Sequence, residues 1–260
     1  MIVESVYLYM LETDHVQASA ERKPDLFPKT RWSLVVAATG NDQPSAKRAL
    51  DELCSLYWFP VYGYFRGREE SPTDAEDLPQ EFFHMLIQRG SLESLTPEAG
   101  KLRAFLLAAA KNYLTSAQRK RYAQKRGGGV RAIPIDTARA EEWLALDPPD
   151  PAAGPDVEFD RAWARTLLDR VRNLLDGDYQ KAGKSDLATA LFPHLEEGAD
   201  DPPYRDLSRE LGMSVGSLRV ALFRFRQRYR ALLKQEIAET LSDPSELESE
   251  IGQIIALFQR

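Results

Sequence analysis

Carboxylates recur along one stretch of the chain at the spacing of a single helix face. Asp74, Asp77 and Glu81 lie three and four residues apart, with Glu76 and Gln80 beside them. On a helix this spacing forms a row of negative charge, and the positive end of the helix dipole stabilises its first member. The row is suited to binding a cationic partner helix.

A catalytic interpretation of this row would be a Mg²⁺ site, which usually needs facing carboxylates from a second helix. Asp51, Glu93 and Glu98 have no comparable spacing. The three histidines form no ligand set or catalytic dyad, and the glycines at 127–129 lack the Lys-Ser/Thr that completes a phosphate-binding loop. The sequence therefore predicts a protein that is not an enzyme and that needs no metal or cofactor.

A basic stretch follows the acidic one and predicts a nucleic-acid surface. Residues 101–131 contain nine Lys/Arg and no Asp/Glu. Cations along one face of a helix neutralise phosphates, and a neighbouring amide side chain can read the edge of an unpaired base. The residues expected to contact DNA here are Arg103, Lys111, Asn112, Arg119 and Lys120.

The segment from Tyr204 to Arg230 has the pattern of a helix-turn-helix followed by a basic helix. Small Ser208 lies where a bulky residue would block the second helix, and Gly212 is placed to form the turn. An apolar stripe then recurs at helical spacing, at Leu218, Leu222, Phe225 and Tyr229. An ordinary helical hairpin with a solvated basic face is the alternative to a DNA-binding unit.

The start of that second helix is the part expected to enter a DNA groove. Arg219 can donate a bidentate pair to a guanine, whereas Arg224 and Arg228 are placed to contact phosphates. Phe223 projects to the exposed side, where a thymine methyl group or a protein partner could meet it. The candidate DNA-binding residues are Ser214, Ser217, Arg219, Val220, Phe223, Arg224 and Arg228.

The elements that would position these residues are all helical, so the predicted fold class is all-α. We expect two helical domains, at 25–126 and 157–236, joined by a flexible acidic linker at 127–156. Residues 1–24 form an N-terminal arm and residues 237–260 a tail helix in this interpretation. Pro60 is expected to kink its helix rather than end it, whereas Pro79 removes the backbone hydrogen bond back to Ala75 from the acidic helix.

The length and composition of the chain indicate its number of domains, its compartment and its kinds of partner. A chain of 260 residues with one cysteine is typical of about two domains in a reducing cytoplasm. No apolar run reaches the length of a membrane span, and the N-terminus lacks the features of a signal peptide. Alternating acidic and basic blocks within a net charge of −6 indicate separate surfaces for cationic and anionic partners.

Three segments together resemble the extracytoplasmic-function sigma factors, the small two-domain initiation subunits of bacterial RNA polymerase. Residues 74–83, DAEDLPQEFF, are similar to the acidic helix with which the family binds core polymerase. Residues 101–114 are similar to its −10-reading helix, and 204–230 to its −35-reading domain. The likeness covers about residues 27–125 and 157–237. Pro79 and Leu102 depart from the family pattern, where a helix former and an aromatic residue are common.

The resemblance implies a role for each group of residues. Asp74, Glu76, Asp77, Gln80 and Glu81 would bind core RNA polymerase, the basic helix would open and read the −10 element, and the helix-turn-helix would read the −35 element. Promoter DNA is the second partner, and an anti-sigma factor or other regulator is a further one. The alternative is a dimeric helix-turn-helix repressor or activator, for which the tail stripe at Ile251–Phe258 is the candidate dimerisation surface. A polymerase-binding module that reads no promoter is the third interpretation.

Overall fold

The computed structural model describes residues 31–39, 43–68, 72–92, 101–123, 154–195, 204–241 and 243–258. Within these ranges the regular structure is helical and there is no strand, which confirms the all-α prediction. Two short 3₁₀ turns lie at Phe192–His194 and Pro244–Glu246. The α-helices are α1 (Arg31–Ala38), α2 (Gln43–Arg66), α3 (Pro72–Gln88), α4 (Leu102–Ala123), α5 (Pro155–Lys181), α6 (Ser185–Leu191), α7 (Tyr204–Glu210), α8 (Val215–Ala238) and α9 (Leu247–Ala256).

The described residues group into two compact units. The first contains those up to Thr166 together with Glu239–Pro244, and the second contains Leu167–Ala238 and the residues from Ser245 onward. The division falls inside α5, whereas the sequence analysis placed a domain start at residue 157. The predicted linker at 127–156 lies almost entirely outside the described residues, as does the N-terminal arm at 1–24. The arrangement as two domains joined by a linker therefore stays a prediction.

The first unit is built around α2, whose aromatic residues from Tyr57 to Phe65 are all buried. α1 and α3 pack against α2, and α4 packs on it as well. Three rings form a triangle at the centre: Phe65 lies 5.9 Å from Phe82 and 5.9 Å from Tyr113, and Phe82 lies 5.8 Å from Tyr113. Aromatic contacts at these distances contribute about 0.5–1.5 kcal/mol each beyond their buried area. This cluster fixes α3 and α4, the two helices that carry the candidate partner and DNA surfaces.

Two prolines lie inside long helices of this unit. α2 continues through Pro60, as the sequence predicted, and α3 continues through Pro79. Both prolines are buried. Each removes a backbone N–H from the helix, and the packing around its ring must offset that loss.

The beginning of α5 belongs to the core of the first unit. Phe159 and Trp163 are buried there, and the Phe159 ring meets Tyr64 edge to face at 6.3 Å. A Cβ built on Gly63 would lie 3.9 Å from the Cβ of Ala162, an ordinary contact distance. α5 begins at Pro155, with Asp156 in its first turn, so the helix starts before the residue that the sequence analysis placed at the domain boundary.

The second unit is organised around the buried face of α8. Phe225 is fully buried, and its ring meets Tyr179 at 5.0 Å and Phe192 at 5.2 Å, both edge to face. The predicted stripe is confirmed, because Leu218, Leu222, Phe225 and Tyr229 are all buried. α9 packs on α8 and buries Ile251 and Ile254. The opposite face of α8 is thereby held in a fixed orientation toward solvent.

Among the described residues, no helix has a stretch that is long and apolar enough to cross a membrane.

Candidate nucleic-acid and partner interfaces

The acidic surface lies on α3 opposite its buried side. Leu78 and Phe82 are buried, whereas Asp77 and Glu81 are exposed and Gln80 is half-buried. The side chains of Asp74 and Glu76 lie outside the described residues. The described part of the predicted row is therefore presented to solvent by a helix whose other face is anchored in the core.

Glu81 also has an internal partner that the sequence analysis did not anticipate. The hydroxyl of Tyr113 on α4 donates a hydrogen bond of 2.6 Å to Oε2 of Glu81. Because the acceptor is charged, this bond is among the stronger types in proteins. It links the acidic helix directly to the basic helix, so Glu81 contributes to the packing of these two helices as well as to the surface charge.

The basic helix α4 meets carboxylates from the beginning of α5. Arg103 Nε lies 3.3 Å from Asp160 Oδ1, and its guanidinium is 4.4 Å from the ring centre of Trp163. Lys111 Nζ lies 2.5 Å from Asp156 Oδ2 in an exposed pair. The two acids are four residues apart on α5, and the two cations are eight residues apart on α4. The two ion pairs therefore connect α4 to α5 at two separate points along the helices.

These contacts mean that two of the predicted DNA-binding residues on α4 already have partners within the chain. Arg103 has a side chain only 11% exposed, whereas Asn112 and Lys111 are exposed. A phosphate contact by Arg103 or Lys111 would therefore exchange an internal carboxylate for a phosphate. The side chains of Arg119 and Lys120 lie outside the described residues, so their role stays a prediction.

The turn between α7 and α8 has the geometry that its residues predict. Gly212 adopts φ +62°, a left-handed conformation that costs an L-residue about 1–2 kcal/mol. The amide of Met213 donates to the carbonyl of Ser208 at 3.0 Å, and the Ser208 hydroxyl donates to the carbonyl of Met213. Ser208 thus helps to close the turn, in addition to leaving room for the second helix.

Ser214 begins the second helix as its N-cap. Its Oγ accepts a hydrogen bond of 3.1 Å from the amide of Ser217, and the two hydroxyls are 2.9 Å apart. A capping serine of this kind typically contributes about 1 kcal/mol to helix stability. Both serines are exposed, so the cap is compatible with the predicted contact to DNA.

The outward face of α8 brings most of the predicted −35 residues together. Arg219, Val220, Phe223 and Arg224 are exposed on the side opposite the buried stripe. The Arg219 guanidinium lies 4.9 Å from the ring centre of Tyr204, which holds it beside α7. Arg228 donates to Asp178 Oδ2 from Nε at 2.8 Å, so this predicted phosphate contact is also an internal ion pair.

A groove of about 700 Å³ runs beside this face. The α8 side of the groove includes Val220 and Arg224, and the other side includes Tyr179 and Lys184. Burial raises the pKa of the Tyr179 hydroxyl, and the neighbouring Arg224 acts in the opposite direction. The groove is therefore lined by apolar side chains such as Leu187, Met213 and Val220 together with the cations Lys184 and Arg224.

The contact between Arg226 on α8 and His194 predicts that the stability of the fold depends on pH. Arg226 Nε donates to the carbonyl of His194 at 3.1 Å, and burial together with this cation lowers the pKa of His194. The unfolded chain then binds a proton more readily than the folded chain, so stability falls as pH drops through about 6.5. Urea unfolding at pH 7.5 and pH 5.5 should show a smaller pH difference for His194→Gln than for the wild type. An equal difference in both proteins would show that other groups cause the pH dependence.

Several residues at these surfaces were not found from the sequence. The predicted boundaries place Asp156 at the end of the acidic linker and Asp160 just beyond it, and no site was predicted at Asp178 or Lys184. Gly154-Pro155 followed by acids was a readable helix start, because proline favours the first helical position and acids the first turn. The ion pair of Asp178 with Arg228 and the position of Lys184 beside the groove had no sequence signal, since they depend on tertiary packing.

No group of three or more His, Cys, Asp or Glu side chains within the described residues is placed to hold a metal ion. Burial, with a smaller effect of Asp51, raises the pKa of Cys54 to about 12, so its thiol is protonated and inert at neutral pH.

No protein-family model, curated protein or solved structure matches the chain.

Proposed function

We propose that the chain is a sigma factor that binds core RNA polymerase and directs it to promoters through −10 and −35 elements. The observation that carries this proposal is the α7–turn–α8 unit. Its turn is closed by Gly212, its second helix is capped by Ser214, and Arg219 and Arg224 are exposed on the face that points away from the core. A helix anchored on one side and cationic on the other is suited to a DNA major groove.

The separation of charge between helices further supports a subunit that binds both a protein and DNA. α3 presents Asp77 and Glu81, whereas α8 has no acidic residue between Val215 and Gln235. DNA repels an acidic helix, so Asp77 and Glu81 are not suited to contact DNA themselves. A cationic helix of the polymerase is a suitable partner for that surface.

The dimeric repressor remains the second candidate, and the packing of α9 speaks against it. The tail stripe was the candidate dimerisation surface, but Ile251 and Ile254 are buried within the chain's own second unit. A dimer formed through this stripe would first have to remove α9 from α8 and expose both isoleucines.

The test of the proposal is co-elution of the full chain with bacterial core RNA polymerase freed of its own sigma subunits. We expect a one-to-one complex that starts transcription from a selected set of promoters. Separate elution, with the chain running as a dimer that binds duplex DNA on its own, would favour the repressor instead.

Two substitutions on α8 should separate promoter reading from polymerase binding. Arg219→Ala is expected to weaken use of a selected promoter by about fivefold or more, because a bidentate contact to guanine is worth about 1–3 kcal/mol. Arg224→Ala should weaken the use of every promoter by a similar factor, because a phosphate contact carries no sequence information. Both variants should bind core polymerase like the wild type in the co-elution assay.

Arg48→Ala is the matched control, since Arg48 is an exposed arginine on α2 in the other unit. It should leave promoter use and polymerase binding unchanged. If Arg219→Ala and Arg224→Ala lower both activities together, the assignment of two separate surfaces is wrong.

A further inference from the structure

The outward face of α8 carries two large apolar side chains in water. Val220 is 49% exposed and Phe223 is 59% exposed, and they are three residues apart, on the same face of the helix. Single exposed apolar residues are common on protein surfaces. Four large apolar residues are exposed within the described ranges. Two of them, Val220 and Phe223, lie side by side on the helix proposed to enter DNA.

Gly216 continues this face toward the start of the helix. It lies four residues before Val220 and seven before Phe223, so the three positions form one line along α8. A Cβ built on Gly216 would meet Ser214 Oγ at 3.9 Å, an ordinary contact, so packing inside the chain does not require glycine. Glycine within a helix costs about 1 kcal/mol relative to alanine. The missing side chain leaves room for a close approach from outside.

The charges beside this line favour DNA over an apolar protein surface. Arg219 lies on one side of it and Arg224 on the other, and Lys184 borders the same groove as Arg224. A major groove offers phosphates along both edges and, on its floor, the 5-methyl groups of thymines as apolar contacts. An apolar line with Arg224 on the side of one phosphate edge, and with Arg219 able to reach the acceptors of a guanine, matches that distribution.

We infer that Val220 and Phe223 contact thymine 5-methyl groups in duplex DNA, and that Gly216 permits the close approach of α8 to the bases. This inference rests on the proposed function and deepens it, because it names the chemical group that the −35-reading helix distinguishes. Arg224 contacts a phosphate on one side of this line, and Arg219 reads a guanine on the other.

The experiment compares thymine with deoxyuridine, which lacks only the 5-methyl group. A duplex pool of random sequence is selected on the complex of the full chain with core polymerase, and the enriched duplex is then synthesised in both forms. We expect uracil to weaken binding about fourfold for each methyl group contacted, as one buried methylene-sized group contributes about 0.8 kcal/mol. In Phe223→Ala the thymine duplex should bind more weakly, and the difference between thymine and uracil should shrink.

Two further variants test whether the effect is local. Leu174→Ala changes an exposed leucine on α5 of the same unit and should keep the wild-type ratio of thymine to uracil binding. Gly216→Ala should raise the melting temperature, because alanine favours the helix, and should weaken binding of both duplexes by crowding the approach.

Each outcome decides between distinct conclusions. A complex that enriches no sequence overturns the proposed function and this inference with it. An enriched duplex that binds equally well with uracil overturns the inference alone. The inference is also overturned if Phe223→Ala and Val220→Ala both keep the wild-type ratio of thymine to uracil binding. It is overturned as well if Phe223→Ala loses binding to core polymerase in the absence of DNA.

Discussion

Replacing Asp77 with lysine is expected to abolish stable binding to core RNA polymerase while leaving the fold intact. Asp77 is exposed on α3, and the neighbouring Leu78 anchors the helix in the core. Reversing its charge sets two cations against each other at the proposed interface, which costs several kcal/mol. We expect affinity to fall at least thirtyfold, equivalent to about 2 kcal/mol or more.

Asp77 is a sharper test than Glu81, although both belong to the acidic surface. Lysine at position 81 would also remove the acceptor for the Tyr113 hydroxyl and so disturb the packing of α3 on α4. Surface substitutions away from such contacts usually change stability by less than about 0.5 kcal/mol. A loss of binding by Asp77→Lys can therefore be assigned to the interface.

Asp51→Lys provides the control, because Asp51 is an exposed acid on α2 of the same unit. Both variants change the net charge by the same amount. Titration of labelled core polymerase should give wild-type affinity for Asp51→Lys and a large loss for Asp77→Lys. Equal affinities for the two would remove α3 as the polymerase-binding helix.

The largest effect on stability is expected from Arg170→Met. Arg170 Nε donates to Oε2 of Glu236 at 2.8 Å, and the Glu236 side chain is only 4% exposed. Removing the cation leaves a buried carboxylate without this partner, which costs about 3–5 kcal/mol in fully buried pairs. Because Arg170 is about one third exposed, we expect about 2–3 kcal/mol.

Thermal unfolding followed by circular dichroism measures this loss. At about 4–8 °C per kcal/mol for a domain of this size, the second unit should melt roughly 10 °C lower or more. The double variant Arg170→Met/Glu236→Leu should regain most of the stability, since it removes the buried charge as well. If the double variant is as unstable as Arg170→Met alone, lost packing rather than the loss of the ion pair with Glu236 is the cause.

The helix-turn-helix illustrates what the sequence could predict. Spacing alone placed Leu218, Leu222, Phe225 and Tyr229 on a buried face, since a regular helix turns at a fixed angle for each residue. Gly212 was expected at the turn, and its φ of +62° is a conformation that few other residues tolerate. Local rules govern these features, so a single sequence reveals them.

The partners of charged side chains were beyond the same reasoning. Periodicity indicates that Arg103 and Lys111 lie on the basic helix, but it does not say which helix approaches them. Their contacts with Asp160 and Asp156 join residues 45 or more positions apart in the chain. Such pairs are set by how whole helices pack, and Asp156 was placed in the linker because an acidic composition is typical of linkers.

The two ion pairs between α4 and α5 have a consequence for ionic strength. Lysines and arginines that bind DNA release the counterions condensed on the phosphates, which makes affinity depend on salt. If a phosphate displaces Asp156 from Lys111, the freed carboxylate gathers cations from solution and offsets part of that release. Binding through this surface would then depend on salt less steeply than its number of basic residues suggests.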